Sequence, residues 1–238
     1  MDPKGKRAVV LGGTSGIGLA AVQQLQALGA EVIAGGRSQS NIETAAAATG
    51  PDVSFREIDV LDRDALSTLF AELAPIDILV NAATGGARAS GPFLEMDLDG
   101  FQGSFRKLWG YTNSVRLGAE HMVENGAIVL VSGFPARKSN PGSSAISTVG
   151  NAVEGFVRAI APEIAPRRIN VVSPGMIDTP MFPMQGDARE QFLQRATQNT
   201  LIPRPGTADE VASAIIFLIQ NEYMTGSTID VEGGALLP

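Results

Sequence analysis

The stretch that decides the fold is Arg7-Ala-Val-Val-Leu11 followed by Gly12-Gly-Thr-Ser-Gly16-Ile-Gly18. The first part is a short β-branched run, which predicts a buried strand, and helical spacing of apolar residues begins directly after the glycines. Glycines at such a turn allow close approach of an anion, and the helix N-terminus offers free N–H groups to a phosphate. The turn therefore predicts binding of a dinucleotide, the alternative being a glycine-rich turn that binds nothing. The predicted binding residues are Gly12, Thr14, Ser15, Gly16, Ile17 and Gly18.

Strand-like and helix-like patterns alternate along the whole 238-residue chain. Short apolar runs predict seven strands, at residues 7–11, 31–34, 53–58, 76–80, 127–131, 169–172 and 228–231. Helical spacing predicts helices at residues 17–28, 62–73, 97–122 and 147–164, and a capping-box sequence begins another at 207–219. The alternation predicts an α/β fold of Rossmann type. It is a doubly wound parallel seven-stranded sheet with helices on both faces, in a single domain over residues 1–238.

One long stretch, residues 179–204, shows no clear periodicity. Unpatterned loops of this length beside a binding site often serve as substrate lids, and ordinary surface loops vary in the same way. The sequence leaves both interpretations open, a substrate lid and a variable loop.

The composition excludes several kinds of chemistry. The chain has no Cys and one His, at position 121, so it lacks a thiol nucleophile, a thiolate zinc site and a two-His metal site, and no metal site is predicted. The net charge of −7, without a basic block, argues against nucleic acid and anionic membranes as partners. The longest strongly apolar run, residues 214–219, is too short to cross a bilayer. We expect a cytoplasmic protein.

The end of the predicted second strand bears on the choice of cofactor. An acidic residue there would bind the ribose 2′-hydroxyl of NAD, but this chain has Gly35-Gly36-Arg37-Ser38. Arg37 can pair with a 2′-phosphate, and Ser38 can donate a hydrogen bond to it. These residues predict a preference for NADP(H) over NAD(H), the alternative being an ordinary surface arginine.

With these features and further motifs, the sequence resembles the classical short-chain dehydrogenase/reductase family along nearly its whole length. The further motifs are Asp59-Val60, Val80-Asn81-Ala82-Ala83, Ser173-Pro174-Gly175-Met176-Ile177-Asp178-Thr179-Pro180, Thr225-Gly226 and Val231-Glu-Gly-Gly234. The resemblance implies that Asp59 and Val60 meet the adenine ring. It also implies cofactor contacts from the loops after the fourth and sixth strands, at Asn81, Ala82, Ala83, Pro174, Gly175, Ile177 and Thr179.

The chain departs from this family at the residues that carry its chemistry. The family uses a Ser on the fifth strand, a Tyr thirteen residues later and a Lys four residues further on. The Tyr moves the proton, the Lys lowers the pKa of that Tyr and holds the ribose, and the Ser orients the substrate carbonyl. Without gaps, these positions fall on Gly133, Ile146 and Gly150, and neither Tyr111 nor Tyr223 has a Lys four residues on. The resemblance thus implies a divergent member without the usual Ser-Tyr-Lys site.

Three residues are candidates for replacing the missing groups. Ser132 lies one position before the expected Ser, and Lys107 and Tyr111 are four residues apart on a predicted helix and share a face. If that face meets the nicotinamide, Lys107 supplies a positive charge and Tyr111 a hydroxyl. Otherwise the two lie on the surface or at a subunit interface, which is commoner for an unpaired Lys and Tyr. Arg137 and Lys138 either bind an anionic substrate group or are solvated.

Three functions are compatible with these residues. The first is an NADP(H)-dependent oxidoreductase with a non-standard active site and an unidentified small-molecule substrate. The second is a catalytically inactive NADP(H)-binding sensor or partner protein. The third is a non-redox lyase or isomerase on the same scaffold, which the intact cofactor motifs disfavour. The resemblance also implies a homodimer or homotetramer.

Overall fold

The computed structural model describes residues 1–86 and 88–238. Within these residues the strands are β1 (Arg7–Leu11), β2 (Glu31–Gly36), β3 (Val53–Glu57), β4 (Ile76–Asn81), β5 (Met122–Val131), β6 (Arg168–Pro174), β7 (Ile177–Asp178), β8 (Gly206–Thr207) and β9 (Thr228–Val231). The α-helices are α1 (Gly16–Ala27), α2 (Gln39–Thr49), α3 (Arg63–Leu73), α4 (Leu98–Ser104), α5 (Arg106–Gly118), α6 (Ser144–Ile164), α7 (Gly186–Thr197) and α8 (Ala208–Gln220). Short 3₁₀ turns lie at Phe93–Glu95, Ala119–His121 and Phe134–Ala136.

The main sheet confirms the predicted doubly wound topology. Its seven strands lie in the order β3-β2-β1-β4-β5-β6-β9, and every neighbouring pair is parallel. The strand order reverses between β1 and β4, which is the point where such sheets open a crevice for a ligand. Because parallel strands end at one edge, the loops after β1, β4, β5 and β6 converge there. Strands β7 and β8 form a separate parallel pair.

Apolar layers cover both faces of the sheet. Along β1, Ala8 and Val10 join the core cluster built with α1 and α8, and Val9 and Leu11 join the one built with α3, α5 and α6. All four side chains are fully buried. Successive residues of a strand point to opposite faces, so a strand covered on both sides is apolar throughout. No helix within the described residues is both long and apolar enough to cross a bilayer.

The sequence analysis does not predict two of the helices, α2 and α7, because each buries few side chains. In α2 only Ile42 and Ala45 are buried, and in α7 only Leu193 and Thr197 are. Helices are recognised from the apolar stripe that faces the core, and a narrow stripe leaves no clear period. The unpatterned stretch 179–204 thus contains a helix of its own.

Two predicted elements differ from the structure at one end by more than three residues. The helix expected over 97–122 is two helices, α4 and α5, which meet at Phe105. The strand expected over 127–131 begins earlier, since Met122 already pairs with Ile76 of β4 before the register shifts. A strand that contains a bulge breaks the simple periodic pattern on which the prediction depends.

Candidate active site

The turn after β1 has a shape that requires glycine. Gly12 and Gly16 have φ angles of +76° and +51°, in the left-handed region. A Cβ at Gly12 would lie 2.6 Å from the amide nitrogen of Ala83, and one at Gly18 would lie 2.0 Å from the carbonyl oxygen of Gly12. The turn therefore packs directly against the loop that follows β4.

The N-terminus of α1 is open to an anion. Ser15 is the N-cap residue, and its side chain makes no capping hydrogen bond. The first-turn N–H groups of a helix lack intrahelical acceptors, so they are available to a phosphate. A Cβ on Gly16 would lie 3.3 Å from the Cβ of Thr179. The structure thus brings Thr179, from beyond β6, against the glycine turn.

Arg37, Ser38 and Asp59 lie where β2 and β3 end. The Arg37 guanidinium is 3.7 Å from the Asp59 carboxylate, and the two side chains are 51% and 40% exposed. The Ser38 hydroxyl accepts a hydrogen bond from the amide of Asn41 at 3.3 Å and so caps α2. A half-exposed guanidinium beside a helix N-terminus is an arrangement that attracts anions.

Asn81 fixes the loop after β4 from within. Its Oδ1 accepts a hydrogen bond from the amide of Ala83 at 3.0 Å, and its Nδ2 donates to the hydroxyl of Ser114 at 2.7 Å. The amide of Ala82 donates to the carbonyl oxygen of Leu11 at 2.9 Å. Asn81 is fully buried with both ends of its amide satisfied. Its side chain therefore holds the loop in place.

The other predicted cofactor residues lie along the same edge of the sheet. Gly175 is held there by a hydrogen bond from its amide to the carbonyl oxygen of Val231, at 2.9 Å. At the end of β2, a Cβ on Gly36 would lie 2.4 Å from the hydroxyl oxygen of Thr14. The structure places the remaining members at the ends of β1, β3 and β6: Ile17, Val60, Pro174 and Ile177.

A small cavity lies at the end of β5. Its volume is about 40 Å³, and Lys107, Gly133, Ile146 and Gly150 are among the residues that line it. The three positions that correspond to the family's Ser, Tyr and Lys thus border one space. A Cβ on Gly150 would lie 2.8 Å from the Cβ of Ala136, so the 3₁₀ turn after β5 packs tightly against α6.

Two hydroxyl groups near the cavity are committed to backbone carbonyls. The Ser132 hydroxyl donates to the carbonyl oxygen of Gly150 at 3.2 Å, and the Tyr111 hydroxyl donates to that of Val131 at 2.8 Å. Tyr111 is completely buried, and burial raises the pKa of its phenol well above the ordinary range. The alternative that placed Tyr111 on the surface or at a subunit interface is wrong, because the core encloses it.

Lys107 provides a positive charge at the cavity. Its Nζ donates to the carbonyl oxygen of Ser132 at 3.1 Å and lies 5.5 Å from the ring centroid of Tyr111. Burial, and secondarily the positive charge of Arg88, lower the pKa of Lys107 to about 7. Lys107 is partly exposed, and its ammonium turns inward to the end of β5.

Arg88 is a cavity residue that the sequence pattern does not reveal. It lies in the unpatterned loop between β4 and the 3₁₀ turn at Phe93–Glu95 and lines the same cavity as Lys107. Its sequence signal is weak: a single arginine in a loop of small residues after a central strand. The fold is needed to bring this loop against α5.

Arg137 and Lys138 are engaged within the protein. Arg137 pairs with Glu154 and with Asp230, each at 3.2 Å. The Lys138 ammonium donates to the carbonyl oxygen of Ala235 at 2.6 Å. Both residues are nevertheless exposed, so the structure favours the solvated loop over the anion site. These side chains link the loop after β5 to α6, β9 and the C-terminal residues.

The start of the segment 179–204 is tied to α7 and contacts Arg88. Arg189 of α7 pairs with Asp178 and donates to the carbonyl oxygen of Thr179 at 2.8 Å. The Arg88 guanidinium contacts the sulfur of Met181. The start of this segment thus borders the glycine turn and contacts one residue of the cavity wall, Arg88.

Comparison with known proteins identifies the family. A family model described as "Enoyl-(Acyl carrier protein) reductase" matches residues 12–235. The 3-oxoacyl-[acyl-carrier-protein] reductase FabG of Thermotoga maritima is 31% identical over 100% of both chains. A solved short chain dehydrogenase/reductase family protein is 32% identical, with a TM-score of 0.86 over 99% of each chain. The chain belongs to the short-chain dehydrogenase/reductase family.

A second similar solved structure contains a bound cofactor. It is a small-chain dehydrogenase in complex with NADPH, 30% identical to this chain, with a TM-score of 0.82 over 98% of this chain and 99% of that one. The shared architecture covers the glycine turn and the cavity alike, because the alignment leaves almost none of this chain unmatched.

Substitution of Gly150 tests the packing of the cavity. Gly150→Ala should lower the free energy of unfolding by about 1–3 kcal/mol, because the new Cβ would overlap Ala136. Gly155→Ala is the matched control on α6, where a Cβ meets nothing within 4 Å. It should raise the free energy of unfolding by about 0.5–1 kcal/mol, since Ala is the better helix former. Urea unfolding measures both, and equal effects would contradict this packing.

Lys107→Met tests the desolvation of the ammonium. The pKa of Lys107 falls from 10.5 to about 7 on folding, so between these values the unfolded chain binds more protons. The wild-type free energy of unfolding therefore rises with pH across this range. At pH 6, Lys107→Met should raise the free energy of unfolding by about 1–3 kcal/mol. This difference from the wild type should shrink toward pH 10.

Lys4→Met, at an exposed position, is the control for this experiment. It should change the free energy of unfolding by less than about 0.5 kcal/mol at either pH. Chemical denaturation at pH 6 and pH 10 gives the comparison. If Lys107→Met is less stable than the wild type at pH 6, burial of the Lys107 ammonium does not cost stability and its desolvation is contradicted.

Proposed function

We propose that this chain is an NADP(H)-dependent oxidoreductase in which Lys107, rather than a tyrosine, handles the proton. The observation that carries the proposal is the inward-facing Lys107 ammonium at the cavity where β5 ends. The positions of the family's Tyr and Lys in that cavity are Ile146 and Gly150, which carry no acid or base.

The edge of the sheet fits a dinucleotide. The turn at Gly12 and Gly16 leaves no room for side chains, and the open N-terminus of α1 suits a pyrophosphate. The Arg37 guanidinium beside the N-terminus of α2 suits a 2′-phosphate better than an uncharged hydroxyl. The NADPH complex of a similar dehydrogenase supports the same choice of cofactor.

Lys107 is suited to complete a carbonyl reduction. NADPH held at the glycine turn would supply a hydride to the carbonyl carbon of the substrate. The carbonyl oxygen then carries the electron pair of the broken π bond, and Lys107 donates a proton to it, which leaves an alcohol and a neutral amine. Solvent returns the proton to Lys107 before the next turnover. An acid with a pKa of about 7 is matched to this task at neutral pH.

Residues 179–204 serve as the substrate lid in this proposal. Met181 at the start of the segment contacts Arg88 in the cavity wall, and Arg189 fastens that start to α7. Closure over the cavity would exclude water from the proton transfer. The predicted homodimer or homotetramer remains an expectation from the family resemblance.

A second candidate is an NADP(H)-binding protein without turnover. It is favoured by one observation, the commitment of the Ser132 and Tyr111 hydroxyls to backbone carbonyls. Such a protein would bind the cofactor tightly and oxidise no NADPH with any carbonyl compound.

Arg37→Ala tests the choice of cofactor. The dissociation constant for NADPH should rise about ten- to hundredfold, because a charged hydrogen-bond partner of the 2′-phosphate is lost. The constant for NADH should stay within about threefold. Arg56→Ala is the control, since Arg56 is similarly exposed at 43% and pairs with Glu72 on the surface. Fluorescence titration measures the NADPH and NADH dissociation constants of both variants and of the wild type. An equal loss of affinity for both cofactors in Arg37→Ala would contradict the role of Arg37.

Lys107→Met tests the proton donor in a panel of carbonyl compounds. NADPH oxidation should slow by about 10²–10⁴-fold, the usual contribution of a general acid, with the NADPH dissociation constant unchanged. In the wild type, kcat should fall as the pH rises through about 7, because the ammonium is the donor. Lys4→Met should leave both values unchanged. Wild-type activity that survives Lys107→Met would contradict the proposal, and no NADPH oxidation at all would favour the second candidate.

A further inference from the structure

Two cations line one small cavity without a counter-charge. Arg88 comes from the loop after β4 and Lys107 from α5, and both border the cavity at the end of β5. Within residues 1–86 and 88–238, neither side chain has a carboxylate within 4.0 Å. Arg88 contacts the sulfur of Met181, and Lys107 contacts the carbonyl oxygen of Ser132. Neither contact neutralises a charge.

Other arginines of this protein have partners that satisfy them. Two pair with carboxylates, and the buried Arg168 donates to four backbone carbonyl oxygens. Arg137 lies between Glu154 and Asp230, and Arg189 pairs with Asp178. Taking like charges out of water together is costly unless an opposite charge joins them. The cavity therefore has the electrostatics of a site whose missing charge arrives with a ligand.

The two cations differ in what they can do for an anion. A guanidinium is permanently charged and planar, so Arg88 can hold both oxygens of a carboxylate. An ammonium is a compact charge that can release a proton, which suits Lys107 to a neighbouring carbonyl oxygen. The cavity volume of about 40 Å³ leaves room for a group as small as a carboxylate.

We infer that the substrate is an oxo acid with a free carboxylate, which Arg88 holds so that the carbonyl oxygen faces Lys107. This inference rests on the proposed function, in which Lys107 donates the proton. It assigns to Arg88 the binding of the substrate's charged end. Small 2-oxo and 3-oxo acids satisfy this chemistry, whereas their esters and thioesters lack the charge that Arg88 would bind.

The experiment compares acids with their neutral counterparts in two separate readouts. The first is NADPH oxidation with pyruvate and acetoacetate against methyl pyruvate and ethyl acetoacetate. The second is calorimetric binding of oxamate, an unreactive carboxylate, in the presence of NADP⁺. Both readouts are measured for the wild type, Arg88→Gln and Arg88→Lys. The control is Arg106→Gln, which removes an exposed arginine directly before Lys107 on α5. Circular dichroism and melting temperature establish that each variant folds.

In the wild type, kcat/KM should be about tenfold or more higher for the acids than for the esters. Arg88→Gln should lower kcat/KM about ten- to hundredfold for the acids and leave that for the esters unchanged. Arg88→Lys should keep part of the binding, and Arg106→Gln all of it. Oxamate binding should follow the same order. If carbonyl reduction is absent but oxamate binds and depends on Arg88, the anion site stands and the proposed function fails.

Two results would overturn the inference. One is reduction of esters as efficient as that of the acids and insensitive to Arg88→Gln, in which case the proposed function stands and the anion site fails. The other is the absence of oxamate binding in the wild type together with no preference for acids.

Discussion

The contact between the turn after β1 and the loop after β4 sets the geometry of the whole edge of the sheet. β1 and β4 pair in parallel with Leu11 opposite Asn81, so the two loops leave the sheet at the same level. Gly12 has no space for a Cβ against Ala83, and Asn81 holds the second loop from within. Because the loop that carries Arg88 begins here, the glycine turn and the cavity are built from one packed junction.

The fold follows from the sequence because the strands that define it are buried on both faces. The run over β1 is apolar from Ala8 to Leu11 and leads into glycines, a pattern typical of a parallel strand that is buried on both faces and followed by a tight turn. The inward turn of Lys107 does not follow, since the four-residue spacing to Tyr111 shows only that the two share a helix face. Arg88 is harder still, because the position of an irregular loop depends on the packed core beneath it and not on any period of its own.

Burial acts in opposite directions on the two residues that were candidates for the acid. It disfavours the charged form of each, so it raises the pKa of the Tyr111 phenol and lowers that of the Lys107 ammonium to about 7. Desolvation therefore brings the pKa of Lys107 close to neutral pH, where an acid is most useful, and makes Tyr111 a weaker acid. Arg88 adds to the effect on Lys107 as a like charge.

The most direct test of this account is the pKa of Lys107 itself. The chain has four lysines, so a protein labelled with ¹³C at lysine Cε gives a simple spectrum for titration by NMR. The account predicts one resonance that titrates near pH 7 and is missing from Lys107→Met. A Lys107 resonance that titrates near pH 10, as in an unstructured peptide, would contradict the claim that this lysine handles the proton.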